Sequence, residues 1–170
     1  IPRGSTKTDW EVELGVVIGA RASYLDSPAE SRTHIAGYVA ANDLSEREWQ
    51  LEVSGGQWSK GKSAPGFCPI GPWLATPDEI DDSDLHVQSW VNGEPRQDSS
   101  TKDFIFDIDT LIYDLSQYLT LEPGDLILTG TPWGCGGFAD PPEFLAACDK
   151  VEVEVEGIGV LRNPVSGPRG

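Results

Sequence analysis

The 170-residue chain contains no methionine and begins at Ile1, so it is not expected to start at a native initiation codon, and residues N-terminal to Ile1 are expected to be missing. Histidine is scarce, with only His34 and His86, and cysteine is limited to Cys68, Cys135 and Cys148. Three is an odd number and no pair has C-x-x-C spacing, which argues against a disulfide framework and a cysteine zinc site. A reducing cytoplasm is the compartment that fits. Basic residues are few: 12 Lys and Arg stand against 28 Asp and Glu, a net charge of −16. Phosphates need a basic surface, so nucleic acid is excluded as a partner. An anionic membrane surface is disfavoured on the same ground. No apolar run approaches the roughly 20 residues of a membrane-spanning helix. The opening stretch from Ile1 to Thr8 lacks the apolar segment of a signal peptide.

The chain is of a length that suits one domain with a real core, here 1–170. The charge reads first as a soluble, acidic surface. An acidic protein that takes an acidic substrate needs local positive charge, from a metal ion or from placed Lys and Arg side chains.

Nineteen glycines and 13 prolines break the chain into short elements. Glu11–Ile18 reads as a strand, apolar at its Val16-Val17-Ile18 end. Residues 29–33 read as a helical turn, and His34–Ala41 as a second strand. Ser45–Val53 reads as a short helix with Ser45 as its N-cap. Residues 55–72 form a loop punctuated by Gly and Pro. Leu85–Val91 and Glu94–Gln97 flank Asn92-Gly93, a hairpin signal. Phe106–Leu119 is the best helix, since Ile108, Leu111, Ile112, Leu115, Tyr118 and Leu119 follow a 3.6 period. Leu126–Thr129, Val151–Glu156 and Gly157–Leu161 complete the β-structure. Strands outnumber helices and do not alternate with them regularly, so the class is mostly β (α+β) with a few short helices. No internal repeat is present.

Glu11 and Glu13 sit at i and i+2 on a strand, so their carboxylates face one side. Two close like charges repel, and burial raises the cost. A hard divalent cation relieves both penalties. The plain alternative is an exposed strand face. Glu152, Glu154 and Glu156 repeat the same alternation and serve as a control. Their strand has a clean apolar/polar pattern and ends in a Gly turn, which marks a half-solvated surface. Glu13 is instead followed by Leu14-Gly15-Val16-Val17-Ile18, apolar on both faces, which points to a buried strand. Asp43, at the end of the second strand, is either a third ligand fixed by the scaffold or a turn and capping acid.

Residues 56–63, Gly-Gln-Trp-Ser-Lys-Gly-Lys-Ser, match the phosphate-loop pattern letter for letter. That motif needs a buried strand before it and a helix after it. Here the preceding residues read as helical, and Gly66, Pro69 and Gly71-Pro72 stop a following helix. A nucleotide site is therefore not expected, and Lys62 needs another explanation.

Several stretches together resemble the fumarylacetoacetate hydrolase family. They are Asp9-Trp10-Glu11-Val12-Glu13-Leu14-Gly15, Asn42-Asp43-Leu44-Ser45-Glu46-Arg47, Gly61-Lys62-Ser63, Val91-Asn92-Gly93-Glu94, Leu121-Glu122-Pro123-Gly124-Asp125 with Thr129-Gly130-Thr131-Pro132, and Arg162-Asn163-Pro164. They run over nearly the whole chain in the family's order. The resemblance implies a rolled, mixed β-sheet domain, usually a homodimer. It implies that Glu11, Glu13 and Asp43 hold Mg²⁺ or Mn²⁺ and that Lys62 is the active-site lysine. It implies that Arg47 and Gln50 contact substrate and that Thr131 binds its carboxylate. Members often carry a His and a Glu on a lid helix before the Glu-x-Glu strand. Nothing before Asp9 supplies them, and His34 and His86, in expected strands, do not match that position. Either the lid lies before Ile1 or the chain lacks it. In the second case the resemblance no longer supports hydrolysis, while it still supports metal and ligand binding.

The family's chemistry passes through an enolate stabilised by a Lewis acid and a nearby positive charge. The wording of Ser45–Gln50 and Gln57–Lys62 is similar to the branch acting on 2,4-dioxo-3-deoxy sugar acids, often labelled ureidoglycolate lyase. The expectation is therefore a Mg²⁺-dependent hydrolase that cleaves a C–C bond in a small 2,4-dioxo acid. An oxaloacetate decarboxylase, a dienedioate isomerase or a non-catalytic metal-binding homologue is the alternative.

Overall fold

The computed structural model describes residues 1–168. The strands are β1 (Thr8–Asp9), β2 (Val12–Ile18), β3 (Ile35–Asn42), β4 (Ser45–Glu46), β5 (Ile70–Ala75), β6 (His86–Val91), β7 (Glu94–Ser100), β8 (Leu126–Leu128), β9 (Lys150–Val155) and β10 (Gly159–Pro164). Two helices, α1 (Ser59–Lys62) and α2 (Ile108–Ser116), accompany 3-10 turns at Pro28–His34, Thr101–Asp103 and Gly136–Phe138 and a π-helical turn at Glu48–Glu52. The mostly β, α+β class holds, and every pairing among the named strands is antiparallel. No helix among the described residues is long and apolar enough to cross a membrane.

Two four-stranded sheets, ordered β5-β3-β2-β8 and β10-β9-β6-β7, enclose one core, and β1 pairs with β4 beside them. Strand alternation sends Val12, Leu14, Val16 and Ile18 of β2 into that core. Val151, Val153 and Val155 of β9 and Val87 and Val91 of β6 join the same cluster. The residues between those of β2 face the other way, which is where Glu13 stands. Gly15 follows on that face, because a Cβ there would come within 2.8 Å of Val39 Cγ2.

Four expected elements differ from the observed ones. The Ser45 helix begins instead as β4, because Ser45 and Glu46 pair with Asp9 and Thr8. Ser45 Oγ donates to the Asp43 carbonyl rather than accepting helix N–H groups. The long helix is shortened to Ile108–Ser116: Asp107 caps it by accepting the Thr110 N–H, and a tight turn at Gln117 ends it. His34 closes the 3-10 turn and is not part of a strand. The 55–72 loop holds α1 and runs into β5, whose Pro72 is tolerated because β5 is an edge strand.

Candidate active site

The antiparallel β2–β3 ladder sets Val12 opposite Asn42 and so places the ends Glu11 and Asp43 side by side. Two bonds fix that junction: the Glu11 N–H donates to Asn42 Oδ1 at 3.0 Å, and the Asp43 N–H donates to the Glu11 carbonyl at 2.9 Å. Glu13 lies two residues on, its Oε2 accepting the Gly130 N–H at 2.8 Å. One carboxylate oxygen from each of Glu11, Glu13 and Asp43 falls within 4.8 Å of the others. Glu11 and Glu13 are buried and Asp43 is half-buried.

Lys62 reaches this cluster from α1. Its Nζ donates to Glu11 Oε2 at 2.6 Å and to Asp43 Oδ2 at 2.5 Å. Gly61 makes the approach possible, since a Cβ there would lie 2.6 Å from Gln50 Cβ and 2.8 Å from the Glu46 carbonyl oxygen. The phosphate-loop match is thereby explained: a π-helical turn precedes it, the four-residue α1 lies within it, the next element after it is strand β5, and its lysine is held by carboxylates.

The electrostatics report crowded negative charge. Burial pushes the Glu13 carboxyl up to about 8; the Gly130 N–H opposes this, and Asp43 and Glu11 add to it. Burial likewise raises Asp43, against the pull of Lys62. Burial would lower the pKa of Lys62, but its bonds to Asp43 and Glu11 outweigh that and hold it above its usual value. A set of hard oxygen donors with surplus buried negative charge fits a divalent cation such as Mg²⁺ or Mn²⁺.

Arg47 and Gln50 are buried in the wall behind Glu11. Arg47 Nη1 lies 2.7 Å from Glu11 Oε1 and donates to Gln50 Oε1 at 2.9 Å. Thr131 follows the end of β8. Its hydroxyl donates to the Val12 carbonyl and accepts from Gln97 Nε2. A cavity of about 460 Å³ opens beside this loop, lined by Glu13, Gly130, Thr131, Trp133, Phe104 and Phe106 among others. Glu11, Asp43 and Lys62 are not in its lining. His34 Nδ1 is bonded to the Ala20 carbonyl and His86 to Asp98, so neither ring is part of the carboxylate cluster.

Four contributors have no local signature in the sequence. Asn42 Oδ1 accepts the Glu11 N–H, and the Gly130 N–H donates to the Glu13 carboxylate. Gln97 accepts the Val12 N–H and donates to Thr131, across 85 and 34 residues. Asp9 binds Arg47. No local pattern announces such long-range partners.

Residues 1–166 match the model of the fumarylacetoacetate (FAA) hydrolase C-terminal family. The chain belongs to this family. It is 46% identical over 166 residues to the Bos taurus mitochondrial oxaloacetate tautomerase FAHD2A, covering 97% of this chain and 52% of the relative. The chain thus spans about half the length of that relative. Among solved structures it is similar to a fumarylacetoacetate hydrolase from psychrophilic Exiguobacterium antarcticum, with a TM-score of 0.92 and 41% identity over 98% of this chain and 59% of the other. It is also similar to the 5-carboxymethyl-2-hydroxymuconate delta-isomerase of Mycobacterium smegmatis, with a TM-score of 0.89 and 38% identity over 100% of this chain and 62% of the other.

Proposed function

We propose that the chain is the catalytic core of a Mg²⁺- or Mn²⁺-dependent enzyme that forms the enolate of a small 2-oxo acid and returns the proton at a second position. The single observation that carries this reading is the convergence of Glu11, Glu13 and Asp43 with Lys62. A divalent cation bound by the three carboxylates supplies Lewis acidity toward a 2-oxo carboxylate. The chain's own part is to hold those carboxylates in one place and to bring Lys62 beside the oxygen that becomes negative. Its ammonium stays protonated there and stabilises that charge. Thr131 and the Gly130 turn form the adjoining wall for the substrate. Solvent water takes the proton from the carbon beside the carbonyl, the C–H electron pair becomes the C=C bond and the carbonyl π pair moves to oxygen, and return of a proton from water at oxygen or at the far carbon gives the tautomer or isomer with no net water consumed.

A second reading, hydrolysis of a C–C bond in a 2,4-dioxo acid, is favoured by the likeness to the Exiguobacterium fumarylacetoacetate hydrolase. It needs a further group to activate water, and neither His34 nor His86 stands at the cluster. The two readings separate in one assay. Metal-depleted protein is reloaded with Mg²⁺ or Mn²⁺ and given enol-oxaloacetate or an acylpyruvate. Metal-dependent loss of the enol absorbance with no fragment released supports the first reading. Stoichiometric pyruvate from the acylpyruvate transfers the assignment to hydrolysis. Turnover that persists undiminished in EDTA contradicts both.

A further inference from the structure

We propose that Asp9 is a positioning residue for Glu11, acting through the guanidinium of Arg47. The inference rests on the metal-dependent reading above and adds a buried partner to it. Asp9 is 0% exposed, and both its oxygens are committed. Oδ1 accepts the N–H groups of Trp10 and Gly136, each at 2.8 Å. Oδ2 accepts the Gly137 N–H at 2.8 Å and faces Arg47 Nε at 2.8 Å and Nη2 at 2.7 Å. A carboxylate so occupied has no lone pair left for a cation or substrate. It serves instead as a fixed anchor.

What it anchors is a rigid fork. A guanidinium is planar, so the Nε bond to Asp9, with Nη2 paired to the same oxygen by charge alone, fixes where Nη1 lies. Nη1 lies 2.7 Å from Glu11 Oε1 as an ion pair, and its N–H donates to Gln50 Oε1 at 2.9 Å. Glu11 is therefore gripped by one oxygen, and the other, Oε2, is turned toward Lys62, itself bonded to Asp43. Phe138 covers the guanidinium, its ring centroid 5.1 Å from Arg47 Cζ. Arg47 is only 4% exposed, which suits this holding role. Gly137 leaves room for the arrangement, because a Cβ there would lie 3.0 Å from Asp9 Oδ2 and 3.2 Å from Arg47 Nε. Charge works in the same direction as geometry. An uncompensated Arg47 beside Glu11 would repel a divalent cation, and Asp9 neutralises it. The same Asp9 oxygens clamp Gly136 and Gly137, on the loop that follows Thr131, so one side chain ties the carboxylate cluster to the substrate wall.

The competing view is that Asp9 only clamps the 136–137 loop. That role lowers the melting temperature but leaves the metal affinity of the folded protein alone. The test is Mn²⁺ titration by calorimetry, with thermal unfolding alongside, on wild type, Asp9→Asn, Arg47→Lys and the double variant. Asn keeps the shape but sets an amide N–H against donors, and Lys keeps the charge but loses the fork. Each single variant should bind Mn²⁺ roughly 10- to 100-fold more weakly, the size of loss typical for partners that orient a metal ligand. The double variant should lose little more than the worse single, because both act through one chain of contacts. Wild-type affinity in either folded single variant, or fully additive losses, overturns the inference. Should Asp9→Asn fail to fold, Arg47→Lys decides alone by the same criterion. Wild-type protein that takes up no Mn²⁺ would instead remove the metal reading itself, and this inference with it.

Discussion

Strands β2 and β9 carry the same pattern of acids separated by valine and have opposite surroundings. In β9, Glu152 retains 16% side-chain exposure and lies 2.7 Å from Arg162 Nε and 3.0 Å from Lys150 Nζ. Glu154 is half-buried and Glu156 exposed. The bonds from Lys150 and Arg162 hold the Glu152 carboxyl below its usual range. At β2, Glu11 and Glu13 are buried beside a third acid, and burial drives Glu13 up to about 8. Alternation thus decides which side a carboxylate faces, while the strand across from it decides whether its charge is satisfied. The expectation that Glu152, Glu154 and Glu156 are all largely exposed holds only for Glu156; Glu152 and Glu154 are half-buried, Glu152 beneath its ion pairs with Arg162 and Lys150.

Four perturbations sharpen that contrast, from the largest effect to the smallest. Glu13→Gln should cut Mn²⁺ affinity by at least about a hundredfold, as loss of a charged ligand to a hard cation implies, while raising the melting temperature of the metal-free protein at pH 8. The sign follows from linkage. Glu13 has its folded pKa raised above the ordinary 4.5, so its contribution is fully present below pH 4.5 and is lost as pH climbs through about 8. Metal-free wild type should therefore lose stability across that window more steeply than Glu13→Gln. Parallel pH profiles of unfolding would refute the buried, uncompensated Glu13.

Lys62→Met should lower turnover by about a hundredfold while Mn²⁺ still binds, since the three carboxylates remain. Calorimetry and a steady-state assay check the two halves separately. The same protein should show no ATP or GTP binding before or after the change, and tight nucleotide binding would revive the phosphate-loop reading. Gly61→Ala pushes a methyl group into Gln50 and the Glu46 carbonyl. It should cost about 1–3 kcal/mol of stability, as overpacking does, measured by urea unfolding. Replacing Glu152, Glu154 and Glu156 together with Gln should leave Mn²⁺ affinity and turnover within about twofold. Stability should change by no more than about 1 kcal/mol, the scale of exposed ion pairs. A large loss of metal affinity there would exchange the roles of the two strands.

What the sequence made legible was what short-range physics encodes. β2, most of β3, the Asn92-Gly93 hairpin and β9 follow directly from two-residue alternation and turn chemistry. The meeting of Glu11 with Glu13 follows from the same period. Elements that depend on distant partners were not legible. Ser45-Glu46 looks like a helix start until Thr8-Asp9 pairs with it. β5 was hidden by Gly71-Pro72, which reads as a loop unless the strand is known to lie at an edge. The Asp9–Arg47 contact spans 38 residues and the Lys62–Asp43 contact 19, and neither leaves a periodic trace. The family resemblance assigns Arg47 to the substrate. In the structure its guanidinium is engaged by Asp9, Glu11 and Gln50, a placement only tertiary packing reveals.

The position of a bound divalent cation distinguishes the β2 site from the β9 face most directly. Anomalous diffraction from crystals grown with Mn²⁺ locates it without reference to activity. The prediction is a single strong peak enclosed by Glu11, Glu13 and Asp43, with Lys62 moved off Glu11 and Asp43 to make room. A peak on the β9 face beside Glu152, or none within reach of Glu13, would contradict it.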